Sequence, residues 1–427
     1  MVIEAPVNKL SSRAILIVLA LGVSLMLTFA ALTNYVAGVV TDERAKVNKE
    51  LLAATIAYVP NSARLHARLA EAEMQGEERD ISSVENHAKR AVDLSPFDFR
   101  QRLLFATVKE AQGDRAAAEQ SLLEAVALAP NYPQVRWRLA NLLLREGKLV
   151  KAVPEFRTAV SSNASLLPGT LDVLWRVSAG NLTVLRAVTP KDPKSQVLLA
   201  QFLLKQERVP DAITVFGGID RTTLAGLPET PGFIDSLVSQ GRLEEARGLW
   251  VGLVTGVYAQ PGRPLPLMSN GSFESDFSKS MAQFDWTINR NEYAIPSIDS
   301  ASARTGNRSL RIDFTGRDTT RLDGQVKQLV VVKPGSRYRL ECYIRTDRLE
   351  TPEGPRIVVM DASSTEIAKS DPIPAGSSDW RAIKIDFTAP ASKSVLITIK
   401  RVPRFSYDHP TSGAVYFDDF ELVELNK

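Results

Sequence analysis

The 427-residue chain predicts a multidomain fold in three parts: an N-terminal transmembrane helix, an all-α repeat region and an all-β two-sheet sandwich. Three observations carry this expectation. The segment from Ala14 to Thr41 contains no charged residue. Small and large apolar residues then recur at a spacing of 34 positions through the first half. Beyond Leu267, apolar residues alternate in short runs cut by Gly, Pro, Asn, Asp and Ser. The chain also exceeds the roughly 250–300 residues at which single cores stop growing, so it needs at least two modules.

Composition narrows the function classes. With 44% hydrophobic and 24% charged residues the chain is ordinary for a globular protein, which argues against wholesale disorder and against a polytopic membrane protein. Fifty-two Lys and Arg against 49 Asp and Glu leave a net charge of +3, too little for a protein that binds nucleic acid by neutralising phosphates. Cys342 is the only cysteine, so there is no intrachain disulfide and no thiolate ligand set for zinc or iron–sulfur. The three histidines, His66, His87 and His409, have no metal-site spacing. No cofactor is required by anything in the chain, and recognition is the better place to look for function.

The N-terminal run AILIVLALGVSLMLTFAAL is almost wholly apolar, and roughly 20 helical residues at ~1.5 Å each cross a ~30 Å hydrocarbon core. Residues 14–40 are expected to be an uncleaved signal anchor. The competing readings are a cleaved signal peptide, for which the apolar run is long, and a soluble helix, for which it is too apolar all round. Lys9 and Arg13 favour a cytoplasmic N-terminus at 1–13, although Arg44, Lys46 and Lys49 on the far flank partly offset them. The bulk is then expected outside the cytoplasm, as a single-pass protein of a bacterial inner membrane.

Residues 47–255 carry the repeats. Ala118, Leu122 and Ala125 are followed 34 positions later by Ala152, Phe156 and Ala159, and Gly113 and Phe105-Ala106 by Gly147 and Leu139-Ala140. Ala212 and Phe216 stand in the same relation to Ala246 and Trp250. Small residues let two helices approach, large ones fill the gap, and Gly ends the first helix. The pattern resembles the tetratricopeptide repeat, with Pro130 closing a unit. Pro154 falls inside a second helix and should distort it. The resemblance implies a right-handed helical solenoid whose concave groove takes a protein or peptide. Arg102, Lys109, Arg136 and Arg138 on first helices are the candidate groove residues, suited to an acidic peptide or a C-terminal carboxylate. The competing reading is a solvated face balanced by Glu71, Glu73 and Glu110.

Prolines 261, 264 and 266 mark residues 256–266 as an extended linker, which predicts two halves with separate cores. In 267–427 the runs SLRIDF, QVKQLVVV, RYRLECYIR, RIVVM, RAIKIDF, VLITIKR and VYFDDFELVEL read as strands. Roughly eight strands point to a sandwich or jelly roll. NGSFE at 270–274, Trp286, GNRSLRI at 306–312, KPGSRYRLECYIR at 333–345, DW at 379–380 and VYFDDFEL at 415–422 resemble a jelly-roll carbohydrate-binding module. In that resemblance Trp286 and Trp380 serve the core.

The resemblance implies a glycan surface, and alternation places Tyr343 outside the face of Tyr338, Leu340 and Cys342, with Arg311, Asp313, Arg345, Lys384 and Lys400 expected around it. Phe405 and Tyr407 are the next aromatic candidates, with Tyr293 and Tyr416. A protein-contact or purely structural role is the competing reading. Glu274, Asp418 and Asp419 are implied as ligands of a structural calcium, with salt-bridged carboxylates as the competing reading. No Walker loop, G-x-S-x-G elbow or H-E-x-x-H occurs, and no carboxylate pair stands out for glycosidase chemistry. The expectation is a non-catalytic, membrane-anchored adaptor of a bacterial envelope, involved in polysaccharide or cell-wall assembly. A protein-only assembly scaffold and an accessory unit of a glycoside hydrolase are the alternatives.

Overall fold

The computed structural model describes residues 10–41, 49–76, 80–258, 266–277, 281–317, 320–403 and 409–425. Helices fill the first part in chain order: α1 (Leu10–Val40), α2 (Lys49–Tyr58), α3 (Ala63–Gln75), α4 (Ile81–Leu94) and α5 (Phe99–Ala111). They continue with α6 (Arg115–Leu128), α7 (Pro133–Arg145), α8 (Leu149–Ser162), α9 (Leu167–Val177) and α10 (Leu182–Val188). The last are α11 (Pro193–Lys205), α12 (Val209–Gly217), α13 (Arg221–Gly226), α14 (Thr230–Ser239) and α15 (Leu243–Tyr258). Two compact units divide the chain, Met1–Pro190 and Lys191–Lys427. The division falls inside the helical region and not in the Pro-rich 256–266 stretch, most of which lies outside the described residues.

The 34-residue pattern becomes helix pairs in contact, α3 with α4, α5 with α6, α7 with α8 and α11 with α12. Its marker residues Ala118, Leu122, Ala125, Ala152, Phe156 and Ala159 are wholly buried. Asp98, Asp114 and Asp192 accept a backbone N–H from the first turn of the helix that follows each, the usual way to satisfy its orphan donors. Gly113, Gly147 and Gly241 end first helices in the left-handed region. The N–H of the residue after each glycine closes back on a carbonyl five positions earlier, as in Lys148 to Leu143. The expected distortion at Pro154 does not break α8. Its missing N–H concerns the carbonyl of Val150, a residue that is 87% exposed, so water can take the place of the lost donor.

Among the described residues of the second unit, ten strands form two five-stranded antiparallel sheets. They are β1 (Thr287–Ile288), β2 (Ala294–Asp299), β3 (Ser309–Thr315), β4 (Leu322–Val331) and β5 (Arg337–Glu350), then β6 (Arg356–Met360), β7 (Glu366–Lys369), β8 (Gly376–Thr388), β9 (Ser394–Arg401) and β10 (Ser412–Leu425). The orders are β1-β4-β9-β6-β7 and β2-β3-β10-β5-β8. One apolar core draws on both sheets, among them Ile312, Leu340 and Phe417 from one and Val326, Ile357 and Ile397 from the other. Of the strands not expected, β1 and β7 are short edges, and β2 contains Pro296, which an edge strand tolerates because one side needs no N–H.

Helix α15 belongs to this second unit. Trp250, wholly buried at a repeat position, donates its indole N–H to the Met281 carbonyl at 2.8 Å and meets Phe284 edge to face at 5.8 Å. Gln283 donates to Asp235 of α14 at 3.0 Å, and Arg247 to the Pro266 carbonyl at 2.7 Å. The last helices are therefore joined to the segments that lead into β1 by one buried indole contact and by hydrogen bonds around it.

Candidate functional site

On the helices, three of the four expected groove cations turn toward neighbouring acids. Arg102 of α5 pairs with Glu124 of α6 at 2.6 Å, and Arg136 of α7 with Glu155 of α8 at 2.6 Å. Lys109 of α5 pairs with Glu85 of α4 and lies 5.4 Å from the Phe105 ring centre. Lys109 and Gln112 hydrogen-bond Glu85 and hold its carboxyl below the usual range. These side chains tie helices to one another. Arg138 behaves differently: it is exposed and reaches from α7 back to the Thr107 hydroxyl of α5. Arg145 makes a parallel bridge from α7 to Glu110 of α5, with its side chain 54% exposed. Arg138 and Arg145 thus share the solvent-facing side that runs from one first helix to the next.

A pairing that sequence spacing missed lies between α3 and α4. His66 Nδ1 and His87 Nδ1 are 2.9 Å apart, with ring centres 5.2 Å apart, and His66 Nε2 is 2.9 Å from the Pro60 carbonyl. That carbonyl can only accept, so His66 carries its proton on Nε2 and, when neutral, receives the His87 N–H at Nδ1. Burial lowers the His87 pKa, and His66 adds to that while Glu73 opposes it. The two histidines are 21 positions apart on different helices, so no local motif announced them.

On the outer face of the sheet β2-β3-β10-β5-β8, Tyr343 alternates with buried Cys342 and Ile344 as expected. The Arg304 guanidinium lies over its ring, 3.3 Å from the centre, so one face of the aromatic platform is already covered. Arg311, Tyr416 and Arg345 stand side by side across β3, β10 and β5, with each guanidinium 5.4 Å from the Tyr416 ring. Tyr416 itself is only 5% exposed. Arg311 is bound by Asp313, and Arg345 donates to the Ser302 hydroxyl at 2.7 Å. Lys384 pairs with Glu341 on this sheet. Lys400 does not join them: it sits on β9 in the other sheet, paired with Asp323 at 2.9 Å. Phe405 and Tyr407 lie outside the described residues. Trp286 is buried in an aromatic cluster with Phe273 and Phe420, whereas Trp380 is only half-buried because it sits beside a register break in the edge strand β8.

The segment between β2 and β3 is clamped by the three acids expected to hold calcium. Asp418, wholly buried, accepts the N–H groups of Arg304, Thr305 and Asp419 at 2.8, 3.3 and 2.7 Å. Burial pushes its carboxyl up to about 6 despite those donors. Asp419, at a bulge of β10 with φ 49°, binds the Arg304 guanidinium and the Thr305 hydroxyl, each at 2.6 Å. Glu274 accepts the N–H groups of Asn307 and Arg308 at 2.9 and 2.7 Å. A Cβ on Gly306 would come within 2.5 Å of that carboxylate, so glycine is what allows the approach. The donor set does not fit calcium: N–H groups and a cation already face these oxygens, and among the described residues no three His, Cys, Asp or Glu side chains converge as metal ligands.

Residues 103–166, covering most of α5 through α8, match the family model described as Tetratricopeptide repeat, so these helix pairs are tetratricopeptide repeats, units of a protein-interaction type. No curated protein matches the chain. Among solved structures it is similar to MamA, at 13% identity over 33% of this chain and 84% of that one, with a TM-score of 0.29. It is also similar to a thermophilic tetratricopeptide protein of Thermus thermophilus, at 26% identity over 31% and 70% of the two chains, with a TM-score of 0.26. A third is the Yersinia enterocolitica type III secretion chaperone SycD in complex with a peptide of the translocator YopD, at 21% identity over 29% and 88%, with a TM-score of 0.24.

Proposed function

We propose that the chain is a membrane-anchored, non-catalytic adaptor of a bacterial envelope: a helical solenoid that holds a protein segment, followed by a jelly roll that presents a second contact surface. The observation that carries this reading is the pair Arg138 and Arg145, exposed on one side of α7 and each reaching back to α5, the preceding first helix of the matched repeats. Guanidinium groups spaced along one face suit an acidic peptide or a C-terminal carboxylate, which they bind by charge-assisted hydrogen bonds. The apolar N-terminal helix, long enough to cross a membrane, supports the anchor, and Lys9 and Arg13 before it favour placing the bulk outside the cytoplasm.

Binding of acidic peptides to the detergent-solubilised full chain tests the first surface. Arg138→Glu is expected to weaken it about tenfold or more by reversing one charge-assisted contact. Arg102→Gln, which breaks only an interhelical pair, should leave affinity unchanged. Equal loss from both variants would sink the reading. Alkaline phosphatase fused at the C-terminus should be active in cells, and activity only of a cytoplasmic reporter would reverse the orientation.

Glycan binding by the jelly roll is the second reading, supported by the paired guanidiniums of Arg311 and Arg345 beside Tyr416, which suit an acidic polysaccharide. Tyr343 serves it only where Arg304 yields the ring face. Retention of the full chain on an acidic polysaccharide, lost in Arg311→Ala and Arg345→Ala, is the expected result; no retention leaves the protein-only scaffold.

A further inference from the structure

The apolar helix α1 is covered by neighbours over only part of its length. Every residue from Arg13 to Leu32 is exposed, whereas Thr33, Ala37 and Val40 form a covered stripe at helical spacing. Ala37 and Val40 pack with Leu52 of α2 and with Leu65 and Leu69 of α3. Helix α2 also runs back along α1, because Tyr58 at its end meets the Phe29 ring at 6.4 Å. A bilayer interior cannot hold α3, which carries Arg64 and Arg68, so the hydrocarbon must end where the covered stripe begins. The 20 exposed residues from Arg13 to Leu32, at ~1.5 Å each, amount to ~30 Å, the thickness of the hydrocarbon core.

We propose that the membrane span ends near Leu32, eight residues before the helix does, and that Tyr35, Val39 and Leu51, with Tyr58 at their inner rim beside Phe29, form a collar seated at the boundary between hydrocarbon and lipid headgroups. This rests on the reading of α1 as an anchor. All four collar residues are large, apolar and at least half exposed: Tyr35 71%, Val39 51%, Leu51 50% and Tyr58 67%. Tyr35, Val39 and Leu51 continue the apolar surface of the span past the point where it leaves the hydrocarbon, Tyr58 marks the inner edge beside Phe29, and tyrosine suits the boundary because its ring is apolar and its hydroxyl is wet. The occupant is the lipid interface, since the collar is continuous with the lipid-facing rod. The buried stripe behind the collar fastens the first helix pair to it, which sets that pair against the membrane surface.

The test uses the full chain in vesicles of phosphatidylcholine and phosphatidylglycerol, with single added cysteines carrying an environment-sensitive fluorophore. Cys342 is buried and does not compete for label. Leu21→Cys reports the span, Tyr35→Cys and Tyr58→Cys the collar, and Phe97→Cys, at a side chain 86% exposed, the water. The collar labels should be quenched by headgroup nitroxides, weakly by quenchers at the bilayer centre, and severalfold less by aqueous iodide than the label at 97. Collar labels as open to iodide as the label at 97, with the label at 21 sheltered, overturn the collar and leave the anchor. Collar labels quenched from the bilayer centre overturn it in favour of a longer span. A label at 21 open to iodide overturns the anchor, and the collar with it.

Discussion

Glu207 stands where other helix pairs place glycine, 34 positions before Gly241, and adopts the same left-handed backbone at φ 59°. Its N–H and that of Arg208 close on Leu204 and Leu203, as at the glycine-ended helices, so the turn imposes the conformation on a residue with a Cβ. The side chain is exposed and loses little when removed. Glu207→Gly is therefore expected to stabilise the Lys191–Lys427 unit by about 0.5–1 kcal/mol, the strain relieved less the entropy glycine adds to the unfolded chain. An unchanged or lower urea midpoint would show that the strain is absent. Asp418 makes a pH prediction. Its folded pKa of about 6 exceeds the unfolded value near 4, so as pH falls from 7 to 4 the folded state takes up a proton that the unfolded chain does not. This group therefore adds stability on acidification, up to about 3 kcal/mol. His87 works the other way, because its lowered pKa keeps it neutral when folded and its contribution is lost as pH falls below about 6.5. Between pH 7 and 5, Asp418→Asn should lack the acid gain of the second unit and His87→Gln the acid loss of the first. Parallel pH curves for variant and parent in denaturant titrations would contradict either assignment.

Among the elements, the clamped segment between β2 and β3 accounts for the landmarks that made the β domain recognisable. Gly271 sits where a Cβ would strike the Phe420 carbonyl, Phe273 enters the aromatic core, Glu274 holds two amides, and the aspartates of β10 hold the rest. Those residue types at those positions are explained by fastening one loop, and Arg304 rides on that loop to cover Tyr343. Gly306→Ala would push a methyl group into the Glu274 carboxylate at a backbone position with φ 65°, at a cost of about 1–3 kcal/mol. The measurable result is faster amide exchange at Arg304 and Thr305 with exchange in β5 unaltered. Protection unchanged at those two amides would mean that the carboxylate does not hold the loop.

For the whole chain, the unexpected feature is that the final repeat helices share a compact unit with the sheets. Trp250 fills a repeat position by its spacing and a β-domain position by its contacts with Met281 and Phe284. Trp250→Ala should cost about 3–5 kcal/mol, as large core truncations do, and lower the melting of helix and sheet signals together. A fragment beginning at Lys191 should unfold in one transition, and a fragment beginning at Pro266 should be markedly less stable because its Phe284 loses the indole. Equal midpoints for the two fragments would restore a β domain that owes nothing to α15.

The sequence by itself determined the order of parts, the repeat period, the buried Ala and Phe of each helix pair, and the alternation that puts Tyr338 inside and Tyr343 outside. These follow from spacings of two, about four and 34 residues, which local geometry converts into faces. It could not determine which polar groups meet, because the pairs Lys109 with Glu85, Arg304 with Asp419 and His66 with His87 join residues separated by 24, 115 and 21 positions. Only the tertiary structure brings them together. It turned three expected groove cations into interhelical ties, covered the exposed tyrosine with an arginine, and filled the expected calcium ligands with amide donors, because a side chain's free valence depends on neighbours that periodicity does not specify.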